Sequence, residues 1–322
     1  MKKRLANLAY YSGLLRLAAR ARRGDTFFVL MYHHVTEAAA PFIPHVTGKV
    51  FRRQIVYLKK NYRVRTLGRI VDRVKRGETL HPRTAAITFD DEYEDIYYNA
   101  FPILKEKNIP ATVFIATGFV DTDRVPWTDE LGFLFAETAK GELELRGKDA
   151  ITRFHWSDQE SKLEALGAVK RALKMLPEES RREVFDRIKD QLEVSKTNAV
   201  RILNSDQIKK MAEWGMEFGA HTVNHPILTR IPPEAARREI EESKEQLEKL
   251  IGAGVRGFCY PNGEIGDYDE RIKMMVKKAG YDYACTTLEG ENGPGTDLYE
   301  LKRIWTTEPS FPLFAARLLR QH

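Results

Sequence analysis

The chain has 322 residues, 43% hydrophobic and 30% charged, enough for one large α/β domain or two small ones. Its formal net charge is only +6, and no stretch interleaves basic residues with aromatics, which argues against a nucleic-acid partner. Two cysteines, Cys259 and Cys285, cannot build a four-cysteine zinc cluster and read as small buried hydrophobes of a reducing compartment.

Residues 1–25 open with Lys2, Lys3 and Arg4, place Leu5, Leu8, Leu15 and Ala19 on one helical face, and end in Arg20, Arg22 and Arg23. This basic amphipathic helix suits either an anionic membrane surface or its own domain. No apolar run is long enough to span a bilayer or to form a cleavable signal. A cytoplasmic location follows as the expectation, with membrane contact through residues 1–24. Beyond it, strands and helices alternate. Strands are expected at 26–32, 83–89, 111–117, 216–220, 255–260, 281–285 and 301–305. Helices are expected at 49–61, 67–77, 100–108, 205–215, 232–252 and 269–280, with a last one in the C-terminal stretch. This rhythm predicts parallel strands with crossover helices, hence a (β/α) barrel, complete or incomplete, or a doubly wound open sheet. No glycine-rich phosphate loop follows any strand. Residues 26–322 read as one domain, interrupted at about 128–200 by a charged, strand-poor insertion of two helices.

Four polar clusters each follow an apolar strand directly: "MYHHV" (31–35), "FDDEY" (89–93), "HTVNH" (221–225) and "YPNGEIG" (260–266). In a parallel barrel all four fall on the C-terminal rim, where such folds keep their sites. His221 and His225, four apart, can face one metal. With one aspartate they leave a fourth position open, as catalytic zinc sites do. Of Asp90 and Asp91, one can then ligate the ion and the other can act as general base. The plainer reading, a helix cap, needs only one aspartate.

"TFDD" followed by "HTVNH", with the flanks "IPATVFIATGFVD", "WGMEFGAHTVNHPILT" and "FCYPNG", resembles the polysaccharide deacetylases, the NodB-like carbohydrate esterase family four, over about 27–120 and 200–305. The resemblance implies a distorted (β/α)7 barrel, and a metal-dependent hydrolase that removes acetyl groups, N-acetyl above all, from a polysaccharide, oligosaccharide or glycolipid intermediate. It implies Asp90 as the base acting on a metal-activated water, and Asp91, His221 and His225 as ligands of a divalent ion. Zinc is the default; cobalt, nickel or iron fit the same donors. Tyr260 is implied to line the groove and offer its backbone N–H to an oxyanion, and Thr222 to brace the ligand loop. "MYHHV" is similar to a branch carrying Tyr-His on the first strand, which makes His33 the general acid and His34 its fallback. Trp127 is a candidate for stacking a sugar ring. The sequence departs from the family pattern in three places. Glu92 replaces the motif glycine, and is expected to bear strain or reach into the groove. The third-motif arginine is missing, with Arg303 as its substitute. The C-terminal Leu-x-His is also missing, since His322 is the last residue. The competing classes are a non-catalytic carbohydrate-binding descendant and a hydrolase of another non-peptide C–N bond.

Overall fold

A computed structural model of the chain describes residues 25–37, 42–146, 151–194, 201–307 and 311–318. Apart from Asp25, the expected N-terminal helix lies outside the described residues, as does His322. Among the described residues, no helix is long and apolar enough to cross a membrane.

Strand β1 (Phe27–Tyr32) and strand β5 (Thr84–Phe89) are buried along their whole length. That is what strands covered on both faces require. They pair in parallel from Phe27↔Thr84 to Tyr32↔Phe89. From β1 the ring continues through β12 (Leu301–Trp305), β11 (Tyr283–Glu289), β10 (Gly257–Cys259), β9 (Glu217–Ala220) and β6 (Thr112–Ile115), and returns to β5. All of these pairings are parallel. The β1–β5 pairing closes the sheet into a seven-stranded barrel and excludes the doubly wound alternative. Two short parallel strands, β2 (His34–Val35) and β3 (His45–Val46), pair with each other outside the ring. A two-residue strand, β4 (Arg63–Val64), lies beside the first half of β5, whereas β6 pairs only with its second half. This uneven pairing is the distortion.

The alternation of side chains along each strand sorts the core. Phe27, Val29, Ala86, Phe114, Cys259, Tyr283 and Cys285 share the barrel interior. Phe28, Leu30, Tyr32, Ala85, Ile87 and Phe89 face outward beneath the helices. The interior is tight enough to require glycine at two places. A Cβ on Gly219 would stand 2.5 Å from Phe114, and one on Gly257 would stand 2.4 Å from Tyr283. Both cysteines are free and buried, and they are register partners on β10 and β11.

The insertion holds more than the two helices expected. Helix Trp127–Glu137 is followed by an antiparallel hairpin, β7 (Glu142–Arg146) with β8 (Ile151–His155), and then by helices Gln159–Lys174 and Glu178–Leu192. Among the described residues of the hairpin only Leu143 is fully buried, with Leu145 and Phe154 half-buried, so both strands are short, largely exposed and rich in charge, which is a weak strand signal. Leu131, Leu134, Phe135, Leu166, Val169 and Ile188 give the insertion its own hydrophobic cluster.

Candidate metal and catalytic centre

Continuing the inward positions of β5 past Ala86 and Thr88 leads to Asp90, at the barrel mouth. The same logic on β12 turns Arg303 inward, next to inward-facing Leu301. There the two side chains meet in a bidentate pair, with Arg303 Nη1 donating to Asp90 Oδ1 and Nη2 to Oδ2, both at 2.7 Å. Arg303 also donates from Nε to the Thr286 carbonyl at 2.7 Å, and it is fully buried. Burial alone would push the Asp90 carboxyl up. The Arg303 charge and hydrogen bonds outweigh that and hold it well below the usual carboxylate range. Asp90 is therefore ionised at neutral pH.

Asp91, His221 and His225 converge beside it. His221 Nε2 and His225 Nε2 are 3.1 Å apart, and they lie 3.5 and 3.3 Å from Asp91 Oδ1. A tetrahedral ion with ligands at about 2.0–2.1 Å places its donors about 3.3 Å apart, so the three atoms fit three corners around one ion. His221 Nδ1 lies 2.7 Å from the Cys259 carbonyl. That contact puts the ring proton on Nδ1 and turns the Nε2 lone pair to the centre. Burial lowers both imidazole pKa values, which favours the neutral, ligating form. Asp91 Oδ1 is buried with no hydrogen-bond partner among the described residues. Burial, then the charges of Asp129 and Asp90, push the Asp91 carboxyl up. A cation at this point relieves all three. Asp90, His221 and Cys259 also cluster, but Asp90 is committed to Arg303 and burial keeps the Cys259 thiol protonated.

The loops that carry these ligands are bent to suit. Asp91, Thr222 and His225 have φ of 63°, 68° and 55°, a left-handed region that costs non-glycine residues energy. Thr222 helps hold this conformation: its hydroxyl donates to the His221 carbonyl at 2.5 Å and accepts the His225 N–H at 2.9 Å.

His33 stands at the edge of the centre, its Nε2 3.9 Å from Asp90 Oδ2 and 3.8 Å from Asp91 Oδ2. Its ring stacks on Trp305 with a centroid distance of 5.4 Å. Burial pushes its pKa down to about 4, so at neutral pH it is uncharged, outside the range its residue type suggests. His34 also borders the cavity but is anchored elsewhere, with Nδ1 2.6 Å from Asp95 Oδ2 and its ring on Tyr93.

Three expectations need correction. Glu92 neither bears the strain nor enters the groove: the positive φ belongs to Asp91, and Glu92 is fully buried. Its Oε2 accepts the Ala116 N–H at 2.5 Å, tying the aspartate loop to the end of β6. Tyr260 borders the cavity, but its backbone N–H donates to the Cys285 carbonyl at 3.1 Å, so sheet pairing occupies the donor expected for an oxyanion. Trp127 does not line this cavity. It borders a separate cleft beneath the insertion, with the Arg181 guanidinium 5.0 Å over its ring.

Two participants had not been expected. Tyr93, in the quoted "FDDEY", donates to Asp91 Oδ2 at 3.2 Å and also hydrogen-bonds Asp129. Asp129 comes from the inserted helix Trp127–Glu137 and is itself buried. Only the folded insertion brings it here, so sequence spacing held no signal for it. The Tyr93 hydroxyl orients Asp91 so that Oδ1 faces the histidines. Tyr93→Phe is therefore expected to weaken divalent-ion binding by about 10–100-fold, as loss of a ligand's hydrogen-bond partner does. Titration against a competing chelator measures this, and an unchanged affinity would show that the bond orients nothing.

The polysaccharide deacetylase family matches residues 77–284. That span holds both aspartates, both histidines and most of the barrel. The chain belongs to the polysaccharide deacetylase family. It is 26% identical over 276 residues to the poly-β-1,6-N-acetyl-D-glucosamine N-deacetylase of Staphylococcus epidermidis, covering 83% of this chain and 69% of that one. The fold is shared with the deacetylase PplD of Streptococcus pyogenes, with a TM-score of 0.62, 21% identity and coverage of 93% and 99% of the two chains. It is also shared with IcaB of Ammonifex degensii, with a TM-score of 0.61, 20% identity and coverage of 92% and 98%. Membership makes this deacetylase a metal-dependent hydrolase acting on acetylated polysaccharide.

Proposed function

We propose that the deacetylase removes the acetyl group from N-acetylated sugar units and that zinc is its ion. The observation that carries this reading is the buried Arg303–Asp90 clamp beside the three convergent ligand atoms. It combines a base kept ionised with a ready cation site. The N-deacetylase activity of the Staphylococcus epidermidis relative supports N-acetyl over O-acetyl.

Asp91, His221 and His225 would hold the ion, leaving a position open for solvent or substrate. When bound, such an ion polarises a carbonyl oxygen and acidifies a water. Asp90 takes the proton of the attacking water, and Arg303 keeps Asp90 free to do so by opposing its protonation at rest. His33, within 4 Å of Asp90 and neutral at rest, is placed to receive a proton and pass it to the leaving amine. The proton it delivers is thus one gained during the reaction. Acetate release from N-acetylated oligosaccharides tests the assignment. His33→Ala is expected to cost about 10²-fold or more, and His34→Ala far less. Equal, mild losses would reject His33 as the acid, and release from O-acetylated sugars alone would reject the N-acetyl reading.

A further inference from the structure

Helix Gln159–Lys174 buries Leu166, Val169 and Leu173 against the rest of the insertion. Lys170 and Lys174 directly follow two of those buried positions, and both border the catalytic cavity of about 200 Å³ with His33, Asn262, Thr287 and Trp305. They stand one helical turn apart on the same side. A helix that needs charge only for solubility carries it on its outer face, where this one has Glu160, Glu164 and Arg171. Here two lysines instead border the cavity that holds the catalytic centre.

Their surroundings differ. Lys174 lies 3.5 Å from Glu264 Oε2. Lys170 is half-buried, and among the described residues it has no hydrogen-bond or ion-pair partner. The Asp129 carboxylate acts on it from a distance, but Asp129 is hydrogen-bonded by Tyr93. Burial accordingly lowers the Lys170 pKa. A cation drawn out of water without a partner costs stability, unless the partner arrives with the ligand.

We infer that Lys170, supported by Lys174, binds an anionic substituent on the acetylated sugar, a phosphate or a carboxylate, so that the substrate is an acidic glycan unit rather than a neutral one. The inference rests on the deacetylase reading for the sugar itself and adds the charge. Lys170 acts as a specificity-determining residue, since it touches the substituent and not the acetyl group. The insertion thus does more than roof the barrel: it supplies a charge test at the cavity wall.

The test uses the zinc-loaded 322-residue chain and three probes: N-acetylglucosamine, N-acetylglucosamine 1-phosphate and N-acetylmuramic acid. Affinity and acetate release are measured separately at low ionic strength, in the wild type and in Lys170→Met and Lys170→Arg. The wild type is expected to bind at least one anionic probe on the order of tenfold more tightly than the neutral sugar. That ratio should fall to near one in Lys170→Met and persist in Lys170→Arg. The preferred probe identifies the anion as phosphate or carboxylate. Equal affinities in the wild type would overturn the inference. So would a preference that survives Lys170→Met in full, because the anion would then be held by Lys174 or the ion and not by Lys170. A Lys170-dependent preference without acetate release from these probes or from an N-acetylated oligosaccharide would uphold the anion site and count against the deacetylase reading alone.

Discussion

Asp90→Asn is expected to lower kcat by about 10²–10⁴-fold, the usual contribution of a positioned general base. The substitution keeps the shape of the side chain and an acceptor for one Arg303 N–H, and removes the ability to take a proton. Because Asp90 is not among the three convergent ligand atoms, zinc affinity should change little while turnover collapses. The separation is informative: Asp91→Asn should lose the ion and the activity together. Zinc titration and steady-state acetate release on the same two variants distinguish the roles. If Asp90→Asn lost zinc and Asp91→Asn kept it, the division of labour between the adjacent carboxylates would be reversed.

Arg303→Met is expected to do broader damage. It leaves Asp90 buried without its cation, and breaking a buried pair from one side costs about 3–5 kcal/mol. The pH dependence has a definite sign. In the wild type the folded-state pKa of Asp90 is depressed, so its stabilising contribution is fully present above the unfolded carboxylate value and is lost as pH falls through the lower folded value. Without Arg303, burial dominates and the folded pKa rises above the unfolded one. The variant then loses stability as pH climbs through the carboxylate range. The stability gap between wild type and variant should therefore be widest near neutrality and narrow in acid. The acid limb of the activity profile should move to higher pH in the variant, since its base must first ionise against burial. A constant gap between pH 3 and 7, with an unmoved acid limb, would show that Arg303 does not tune Asp90.

Much of this centre is legible in the sequence because its chemistry is local. Asp90 and Asp91 are adjacent, and His221 and His225 are separated by one turn of a loop. Each cluster ends an apolar strand, and that alone places it at one mouth of a parallel barrel. Arg303 is reached through the resemblance instead, as the arginine of "LKRIW" standing in for the missing third-motif one, and its burial beside exposed Lys302 fits that placement. Failures arose where tertiary pairing decides. The Tyr260 N–H is committed by its neighbour strand, and no property of "FCYPNG" reveals that. The demand for positive φ falls on Asp91 rather than on Glu92, and a residue type alone does not show which side of a turn carries the strain. Trp127 followed the rule that exposed aromatics suit sugars, yet an arginine from the next helix pair covers its face. Asp129, Lys170 and Lys174 lie in a segment whose sequence suits a solvated helical excursion as well as a lid or substrate-side wall. Their relevance depends on how that segment folds back over the barrel mouth.

The most direct measurement is acetate release from an N-acetylated oligosaccharide while metal-free chain is titrated with zinc. Acetate release should rise with bound zinc and saturate at about one ion per chain, and it should be absent at every zinc concentration in Asp91→Ala. Full release from the metal-free chain, or stoichiometric zinc binding with no acetate released, would contradict a metal-dependent deacetylase built on Asp90, Asp91, His221 and His225.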